Sequence, residues 1–483
     1  MKSIRPISIL CSLLVASCSA RGGTSATERQ ITLEDCALTS PSGDQTDARC
    51  GILIVPENRA EPDGSQIELH IAVIPAITRS PEPDALFLLA GGPGQSAIET
   101  FPAMLPVIFK IHEERDIVLV DQRGTGDSNP LRCADPEDET LNNEEALQII
   151  RSCPSTLDAD LRFYTTEIAM TDLDEVRQAL GYETINIYGA SYGTRAALTY
   201  LRMFPTHVRT VTLDAVVDPG FVMFMDAAKD GQAALDAFFV RCETDDACNT
   251  AFPDVKNEFY QLLTRLEAAP ADITIPHPLT HEPLELTVTR RLIASMVFNT
   301  LYVPDLVATL PLSIHEAYAD QDYVPLLSAG FLVNAGLYDG MFYAVACTED
   351  APLISAAEAS KHSEGSVFGD LTADFVETCA AWPKGNVSSE FRAPVVSDVP
   401  ALILSGQVDP ITPPVHAEEV AASLTNELNL VFGGMGHGNL ANRCTTKLFT
   451  DFIESGSIAG LDSSCVENVQ PPPFFVDFSG PRP

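Results

Sequence analysis

Short and almost continuously apolar segments recur along this chain, and stretches of helical periodicity separate them. We predict eight strands, at about residues 51–55, 67–75, 85–89, 116–120, 184–188, 209–213, 400–404 and 427–432. Segments such as Ala85–Leu89 have the composition of strands that are buried on both faces. Strands that alternate with helices in this way favour an α/β fold, a mostly parallel eight-stranded sheet with helices on both faces.

One interval departs from this alternation. Residues 219–395 separate the sixth predicted strand from the seventh, which is far longer than a connecting loop. Their periodicity is mainly helical, as in Arg290–Val297, and prolines interrupt it. We predict an inserted, mainly helical cap domain over the carboxyl edge of the sheet. The core would then consist of residues 49–218 and 396–483, with residues 18–48 as a tether.

A Gly-x-Ser-x-Gly sequence, Gly189-Ala190-Ser191-Tyr192-Gly193, lies between a predicted strand and a predicted helix. The pentapeptide alone also occurs by chance, and a serine in an ordinary glycine turn is the alternative. In a strand-to-helix turn, however, the pattern is typical of the nucleophile of the α/β-hydrolase fold. We therefore predict that fold and interpret Ser191 as the catalytic nucleophile.

A serine hydroxyl needs a neighbouring base, and in this fold the acid and the histidine follow the serine in that order. Asp409 stands just beyond one late strand, and His437 lies in the glycine-rich loop after the next. We predict that His437 is the general base and that Asp409 orients it. Asp214 and Asp218 are reserve candidates for the acid. His416, the other histidine after Asp409, lies in a helical stretch.

Acyl transfer also requires hydrogen-bond donors for the oxyanion. The Gly91-Gly92-Pro93-Gly94 loop follows the third predicted strand, so we predict the Gly92 and Tyr192 amides as the two donors. The loop has neither the Lys-Ser/Thr ending of a Walker loop nor Gly-x-Gly-x-x-Gly spacing, which argues against phosphate binding. We expect no cofactor.

The first twenty residues have the pattern of an export signal. Lys2 and Arg5 precede a short apolar segment, Ile7–Ala16, which is too short to span a bilayer. The sequence that ends at Cys18 resembles a bacterial lipoprotein signal, which implies removal of residues 1–17 and lipidation of Cys18. Because Ser19 follows the cysteine, we expect an exported protein anchored in the outer membrane or periplasm of a Gram-negative bacterium. An ordinary secretory signal cut near Ala20 is the alternative.

Ten cysteines remain after Cys11 and Cys18, and they form neighbouring couples. An even number in an exported chain predicts disulfides, although several connectivities are possible. The simplest pairing joins neighbours: Cys36/Cys50, Cys133/Cys153, Cys242/Cys248, Cys347/Cys379 and Cys444/Cys465. None of these has Cys-x-x-Cys spacing, so we predict no metal site.

The charge balance excludes one class of partner. The chain has 29 Lys and Arg against 67 Asp and Glu, a net charge of −38. Such a surface repels phosphate backbones, so we do not expect nucleic-acid binding.

Four motifs together resemble the tripeptidyl and prolyl aminopeptidases, the secreted TAP-like serine exopeptidases of the α/β-hydrolase superfamily. They are the Gly91–Gly94 loop, Asp121–Ser128, Tyr188–Thr194 and Asp409–Pro413. The resemblance covers nearly the whole mature chain and implies release of amino-terminal residues from peptides through an acyl-enzyme. Ala90 and Ala190 depart from residues that are frequent in the family.

The resemblance also implies a pocket for the free α-ammonium of the substrate. Glu349 and Asp350, which follow Cys347, resemble the acidic cap position of the family. Trp382 is expected in the core of the cap. The sequence is also compatible with two other functions. One is a carboxylesterase with the same triad, and the other is a non-catalytic surface binding protein on a hydrolase scaffold.

Overall fold

A computed structural model describes residues 31–40, 43–133, 143–276, 281–333 and 336–481. The predicted signal (residues 1–17), the lipidated Cys18 and the first part of the predicted tether lie outside the described residues.

The described residues contain eleven strands. They are β1 Glu34–Thr39, β2 Gln45–Pro56, β3 Gln66–Ile74, β4 Leu86–Leu89, β5 Ile117–Val120, β6 Ile185–Ala190, β7 Val208–Asp214, β8 Ala271–Pro276, β9 Pro283–Val288, β10 Ala401–Gly406 and β11 Glu427–Phe432. Nine of the described strands form one sheet in the order β1-β2-β3-β5-β4-β6-β7-β10-β11, and β8 and β9 form a separate hairpin. The first four strands in this order pair antiparallel with their neighbours, and from β5 onward neighbouring strands of this sheet pair parallel.

All eight predicted strands are present; β8 and β9 are additional strands in the predicted cap, and β1 is an additional strand of the main sheet. It lies within the predicted tether, which therefore ends earlier than expected. Only Leu38 of β1 is buried, so this edge strand lacks the apolar alternation by which a strand is recognised. Its pairing with β2 is reinforced by the Cys36–Cys50 disulfide.

Seventeen α-helices lie in the described residues. They are α1 Ala97–Thr100, α2 Phe109–Glu114, α3 Asn143–Ser152, α4 Thr166–Leu180, α5 Tyr192–Met203, α6 Ala227–Thr244, α7 Asp246–Ala251, α8 Val255–Ala268, α9 Arg290–Thr300, α10 Pro304–Val307, α11 Leu310–Ala319, α12 Val324–Leu332, α13 Asp339–Glu349, α14 Ala356–Ser363, α15 Asp370–Cys379, α16 Pro414–Ala421 and α17 Arg443–Ser455.

The two faces of the sheet are covered by different helices. Phe87 of β4 belongs to a core cluster with residues of α4, α5 and α16, and its neighbour Leu88 belongs to a second cluster with residues of α2 and α17. Because successive side chains of a strand point to opposite faces, the two clusters are the two sides of one sheet. This is the three-layer α/β arrangement that the continuous apolar strands indicate.

The segment between β7 and β10 contains α6 to α15 and the β8–β9 hairpin. It is mainly helical, and Trp382 is buried in its core beside the ring of Tyr343, with 5.5 Å between ring centroids. Within the described part of the chain, no helix combines the length and apolar character that a membrane span requires.

Five disulfides join the ten described cysteines, each to its nearest neighbour in sequence. They are Cys36–Cys50, Cys133–Cys153, Cys242–Cys248, Cys347–Cys379 and Cys444–Cys465. The Cys347–Cys379 bond links the ends of α13 and α15 within the insertion.

Candidate active site

Ser191 occupies the sharp turn between β6 and α5. Its φ angle is +54°, a backbone conformation that residues other than glycine rarely adopt. A Cβ atom on Gly189 would lie 2.2 Å from the Gly193 carbonyl oxygen, and one on Gly193 would lie 2.2 Å from the Leu89 carbonyl oxygen. The two glycines are therefore required because α5 approaches the sheet too closely for any side chain.

Asp409 and His437 follow the carboxyl ends of β10 and β11, at the same edge of the sheet as Ser191. The Oδ2 atom of Asp409 lies 2.8 Å from Nδ1 of His437. Asp409 also accepts hydrogen bonds from the Ile411 and Thr412 amides and from the Thr412 hydroxyl, at 3.0, 2.9 and 2.8 Å. These donors fix the carboxylate in one orientation against the imidazole.

The pKa values of this pair are shifted in opposite directions. Burial alone would raise the pKa of Asp409, but the charge and hydrogen bond of His437 and two backbone amides hold it below its usual value. Burial alone would lower the pKa of His437, but the Asp409 carboxylate raises it above its usual value. The site is therefore arranged to stabilise an imidazolium.

Asp214 connects the serine turn to the histidine loop. Its carbonyl accepts the Ser191 amide at 2.8 Å, and its carboxylate accepts the Asn439 and Leu440 amides at 2.9 and 3.0 Å. Among the described residues, the Ser191 hydroxyl makes no hydrogen bond to His437, a contact that in unliganded hydrolases often forms only with substrate. The connection through Asp214 holds the two loops side by side.

The reserve candidates have other partners. The Asp214 carboxylate faces backbone amides and the Tyr188 hydroxyl, and burial raises its pKa. Asp218 and His416 pair with each other, with Oδ2 and Nδ1 2.6 Å apart. Neither reserve acid therefore forms a hydrogen bond with His437 in the described structure.

The Gly91–Gly94 loop passes beside Ser191. A Cβ atom on Gly91 would lie 3.2 Å from Cβ of Ser191, and Gly92 has a φ of +101°. Within the described residues, neither the Gly92 amide nor the Tyr192 amide donates a hydrogen bond to the protein. Both N–H groups near the nucleophile remain available to an acceptor.

Two helices of the insertion contact this edge of the core. The Tyr302 carbonyl, just beyond α9, accepts the His437 amide at 2.8 Å, and its ring meets the imidazole edge-on at 5.0 Å. The Tyr338 amide, just before α13, donates to the Gly94 carbonyl at 2.8 Å. The insertion thus touches both the histidine and the glycine loop.

Sequence reasoning missed three supporting residues: Thr412, Asp214 in its bridging position, and Tyr302. Only Thr412 had a local signal, because Asp-Pro-x-Thr suits an Asx turn whose side chain accepts the following amides. The contacts of Asp214 and Tyr302 with the histidine loop join residues separated by 135 positions or more in the sequence, which no local pattern reveals.

Two family models match the chain. The model of the "alpha/beta hydrolase fold" family matches residues 84–271, and that of the "TAP-like protein" family matches residues 365–465. The chain belongs to the TAP-like α/β-hydrolases.

Three relatives of this hydrolase carry different names. The chain is 26% identical to "Serine protease Hip1" of Mycobacterium tuberculosis over 462 residues, 86% of this chain and 87% of that protein. It is 34% identical to "Tripeptidyl aminopeptidase" of Streptomyces lividans over 229 residues, 41% of each chain. It is also 26% identical to "Carboxylesterase B" of Mycobacterium tuberculosis, over 86% of both. The family and its catalytic chemistry make this protein a serine hydrolase.

Glu349 and Asp350 of the hydrolase lie in a buried ionic network instead of an open pocket. Asp350 is enclosed by Arg195, with N–O distances of 2.8 and 3.0 Å, and by Arg392 at 2.8 Å. Glu349 accepts the Thr166 amide and hydroxyl at 2.7 and 3.0 Å. Each carboxylate oxygen already accepts a hydrogen bond, which differs from the expectation that these acids receive a substrate ammonium.

The same network connects the insertion to the helix that follows Ser191. The Thr166 hydroxyl lies 2.9 Å from the Tyr192 hydroxyl, and Arg195 lies on α5. Burial raises the pKa of Glu349 to about 7, although Arg195 and the Thr166 amide favour its charged form. These acids therefore support the junction between core and insertion.

Proposed function

We propose that this serine hydrolase is an exported aminopeptidase that releases short amino-terminal peptides through an acyl-enzyme at Ser191. The observation that carries the proposal is the Asp409–His437 pair, with its 2.8 Å contact, beside the serine turn at one edge of the sheet. The relatives named as a serine protease and a tripeptidyl aminopeptidase favour peptides as substrates.

In the proposed reaction, Nε2 of His437 takes the Ser191 proton as Oγ attacks the scissile carbonyl. The Gly92 and Tyr192 amides donate to the oxyanion that forms. The imidazolium, stabilised by Asp409, then protonates the leaving amine, and an ester remains on Ser191. Water, activated by the same imidazole, hydrolyses that ester and restores the serine.

An aminopeptidase requires a free α-amino group on its substrate, and this requirement provides the test. We expect acetylation of the amino terminus of a tripeptidyl anilide to lower kcat/KM by about 100-fold or more, because a buried or half-buried charge pair is lost. The measurement is anilide hydrolysis by the purified protein with matched free and acetylated substrates. Equal rates on the two would contradict the aminopeptidase assignment.

One relative favours a second function. The chain is similar to a protein named Carboxylesterase B. The alternative function is therefore an esterase that uses Ser191, Asp409 and His437. A small ester, p-nitrophenyl acetate, distinguishes them: rapid turnover of the ester without turnover of any free peptide anilide would establish the esterase.

We also propose that the protein is lipid-anchored at Cys18 after export. The lipoprotein-like signal at residues 1–17 and the five disulfides support export. We expect radiolabelled palmitate to be incorporated in a Gram-negative host, and Cys18→Ser to abolish incorporation. Label retained by Cys18→Ser would be inconsistent with this anchor, and Cys11→Ser is the matched control.

A further inference from the structure

Residues 337–342, which include the start of α13, lie directly against the Gly91–Gly94 loop. A Cβ atom on Gly94 would lie 2.6 Å from the Tyr338 carbonyl oxygen, and one on Gly92 would lie 3.0 Å from Cδ1 of Leu337. Gly92 and Gly94 have φ angles of +101° and +103°. Because a side chain fits at neither position, the insertion comes into direct contact with the loop that carries the Gly92 amide.

Tyr338 holds the end of this loop with its amide and the following helix with its hydroxyl. The amide donates to the Gly94 carbonyl at 2.8 Å, and the hydroxyl donates to Oε1 of Glu99 on α1, also at 2.8 Å. Burial raises the pKa of Tyr338 to about 12, opposed by Arg132 and assisted by the Glu99 carboxylate. The phenol therefore keeps its proton at neutral pH and can donate it to Glu99.

The aromatic ring of Tyr338 has a partner as well. Cζ of Arg132 lies 3.7 Å from the ring centroid, and the same guanidinium donates to the Leu337 carbonyl at 3.3 Å. A guanidinium this close to an aromatic face is attracted by the ring quadrupole. Tyr338 is only 5% exposed, and its amide, hydroxyl and ring each contact a different residue of the core. These three contacts hold Tyr338 in one orientation.

The helix that bears Glu99 is itself anchored to the sheet. Asp121, directly after β5, accepts the Ser96 hydroxyl at 2.6 Å and the Ile98 amide at 3.1 Å. Glu99 is exposed, but it projects from a helix whose first turn is fixed in this way. The Tyr338 phenol is therefore bound to a fixed part of the core.

The direction of the Gly92 amide depends on the conformation of the loop. A loop with three glycines has many accessible backbone conformations, so it needs restraints. The Gly91 amide donates to Oε1 of Gln95 at 3.0 Å, which fixes the beginning of the loop, and Tyr338 holds the Gly94 carbonyl at its end. Loss of one oxyanion donor typically lowers kcat by about 10²–10³-fold, so a displaced Gly92 amide would be costly.

We propose that Tyr338 is a positioning residue, which holds the Gly91–Gly94 loop in the conformation that directs the Gly92 amide at the oxyanion. Tyr338 acts through the loop and not through contact with the substrate. The inference rests on the proposed acyl-enzyme at Ser191 and extends it: the oxyanion donor is fully formed only while the insertion is docked on the core.

Removal of the Tyr338 hydroxyl tests this role. We expect Tyr338→Phe to lower kcat by about five- to tenfold for both an unblocked tripeptidyl anilide and p-nitrophenyl acetate, with KM within about twofold of the wild type. The loss is smaller than that of a whole donor because phenylalanine keeps the amide bond to Gly94. An unchanged kcat for both substrates in a folded Tyr338→Phe protein overturns the proposal.

The matched control is Tyr318→Phe. Tyr318 of α11 also donates its hydroxyl to a side-chain oxygen, Oε1 of Gln261 at 2.8 Å, and Cζ of Arg265 lies 5.6 Å from its ring centroid. These partners all belong to the insertion, so kcat should stay within about twofold of the wild type. An equal loss of kcat in Tyr318→Phe would mean that general loosening of the insertion explains the effect, which contradicts the assigned role of Tyr338.

Substitutions of Glu99 test the same hydrogen bond from its other end. Glu99→Gln keeps an oxygen that accepts from the phenol and should retain most of kcat, whereas Glu99→Ala should lose as much as Tyr338→Phe. Because both single changes break one bond, the double variant Tyr338→Phe/Glu99→Ala should lose no more than either single variant. Losses that multiply in the double variant contradict the proposal.

A transition-state analogue separates positioning from a general structural effect. Trifluoroacetophenone forms a tetrahedral adduct on the nucleophile, and its oxyanion uses the same donors as the reaction. Its inhibition constant should rise in Tyr338→Phe by the factor by which kcat falls, because both report binding of the oxyanion. An inhibition constant that stays at the wild-type value while kcat falls contradicts the positioning role.

Failure of the proposed function has a different signature, because an esterase and an aminopeptidase both need the oxyanion donor. A wild type that hydrolyses p-nitrophenyl acetate but no peptide anilide refutes the aminopeptidase assignment alone. The ester and the ketone then decide the role of Tyr338 separately. A wild type that hydrolyses neither substrate and does not bind the ketone refutes both proposals.

Discussion

Replacement of Ser191 by alanine is expected to abolish covalent labelling by a fluorophosphonate probe and to lower kcat for anilide hydrolysis by at least about 10⁴-fold. The reason is that the acyl-enzyme forms on this oxygen, and no neighbouring atom can replace it. The measurement combines in-gel fluorescence with steady-state rates on the purified protein. Ser405→Ala is the matched control, since this serine is fully buried in β10 and its hydroxyl has no partner in the described structure.

Two other outcomes of this experiment have clear meanings. Labelling that persists in Ser191→Ala would identify a different nucleophile. A wild-type protein that neither reacts with the probe nor cleaves any substrate would favour the non-catalytic binding protein. In that case the strained φ of Ser191 would be a remnant of the scaffold.

Asp409→Asn should lower kcat at neutral pH by about 10⁴-fold while leaving the fold intact. An amide in this position cannot stabilise the imidazolium, and its N–H₂ group favours the wrong tautomer of His437. Since Asp409 raises the pKa of His437, its loss should also move the acidic limb of the residual kcat/KM profile to lower pH. The pH dependence of the residual rate measures this shift.

The control for this second variant is Asp218→Asn. Asp218 forms the other buried Asp–His pair of this region, with His416, and has no contact with His437 in the described structure. We expect near wild-type kcat from a folded Asp218→Asn protein. A loss as large as that of Asp409→Asn, or an acidic limb that moves to higher pH in Asp409→Asn, would be inconsistent with the assigned acid.

The buried ionic network gives the insertion a defined attachment. Arg392 donates to the carbonyls of Pro219 and Phe221 and to the Asp350 carboxylate, so it joins the first and last parts of the insertion. Arg195 reaches the same carboxylate from the helix after Ser191. Removal of one partner of a buried ion pair leaves an uncompensated charge. Glu349 and Asp350 are therefore better explained as supports of the insertion than as ligands for the substrate.

Two features of the structure have no signal in the linear sequence. The edge strand β1 has no predicted counterpart because its one buried residue gives no periodicity. Glu349 and Asp350 were expected to receive a substrate ammonium because their position in sequence resembles an acidic cap site. The arginines that occupy Asp350 come from positions 155 residues before it and 42 residues after it, and a linear pattern does not show such partners.

The sequence by itself determined the layers, the strand-to-helix turn of Ser191, the chain order of serine, acid and histidine, and the simplest disulfide pairing. The layers and the Ser191 turn depend on residue type and spacing over fewer than about 20 positions, where backbone geometry and apolar periodicity dominate. Tertiary structure alone decided which acid reaches His437, how Asp214 joins two distant loops, and which arginines surround Asp350. Those outcomes depend on contacts between residues far apart in the chain, whose free energy is set by packing and burial and not by local sequence.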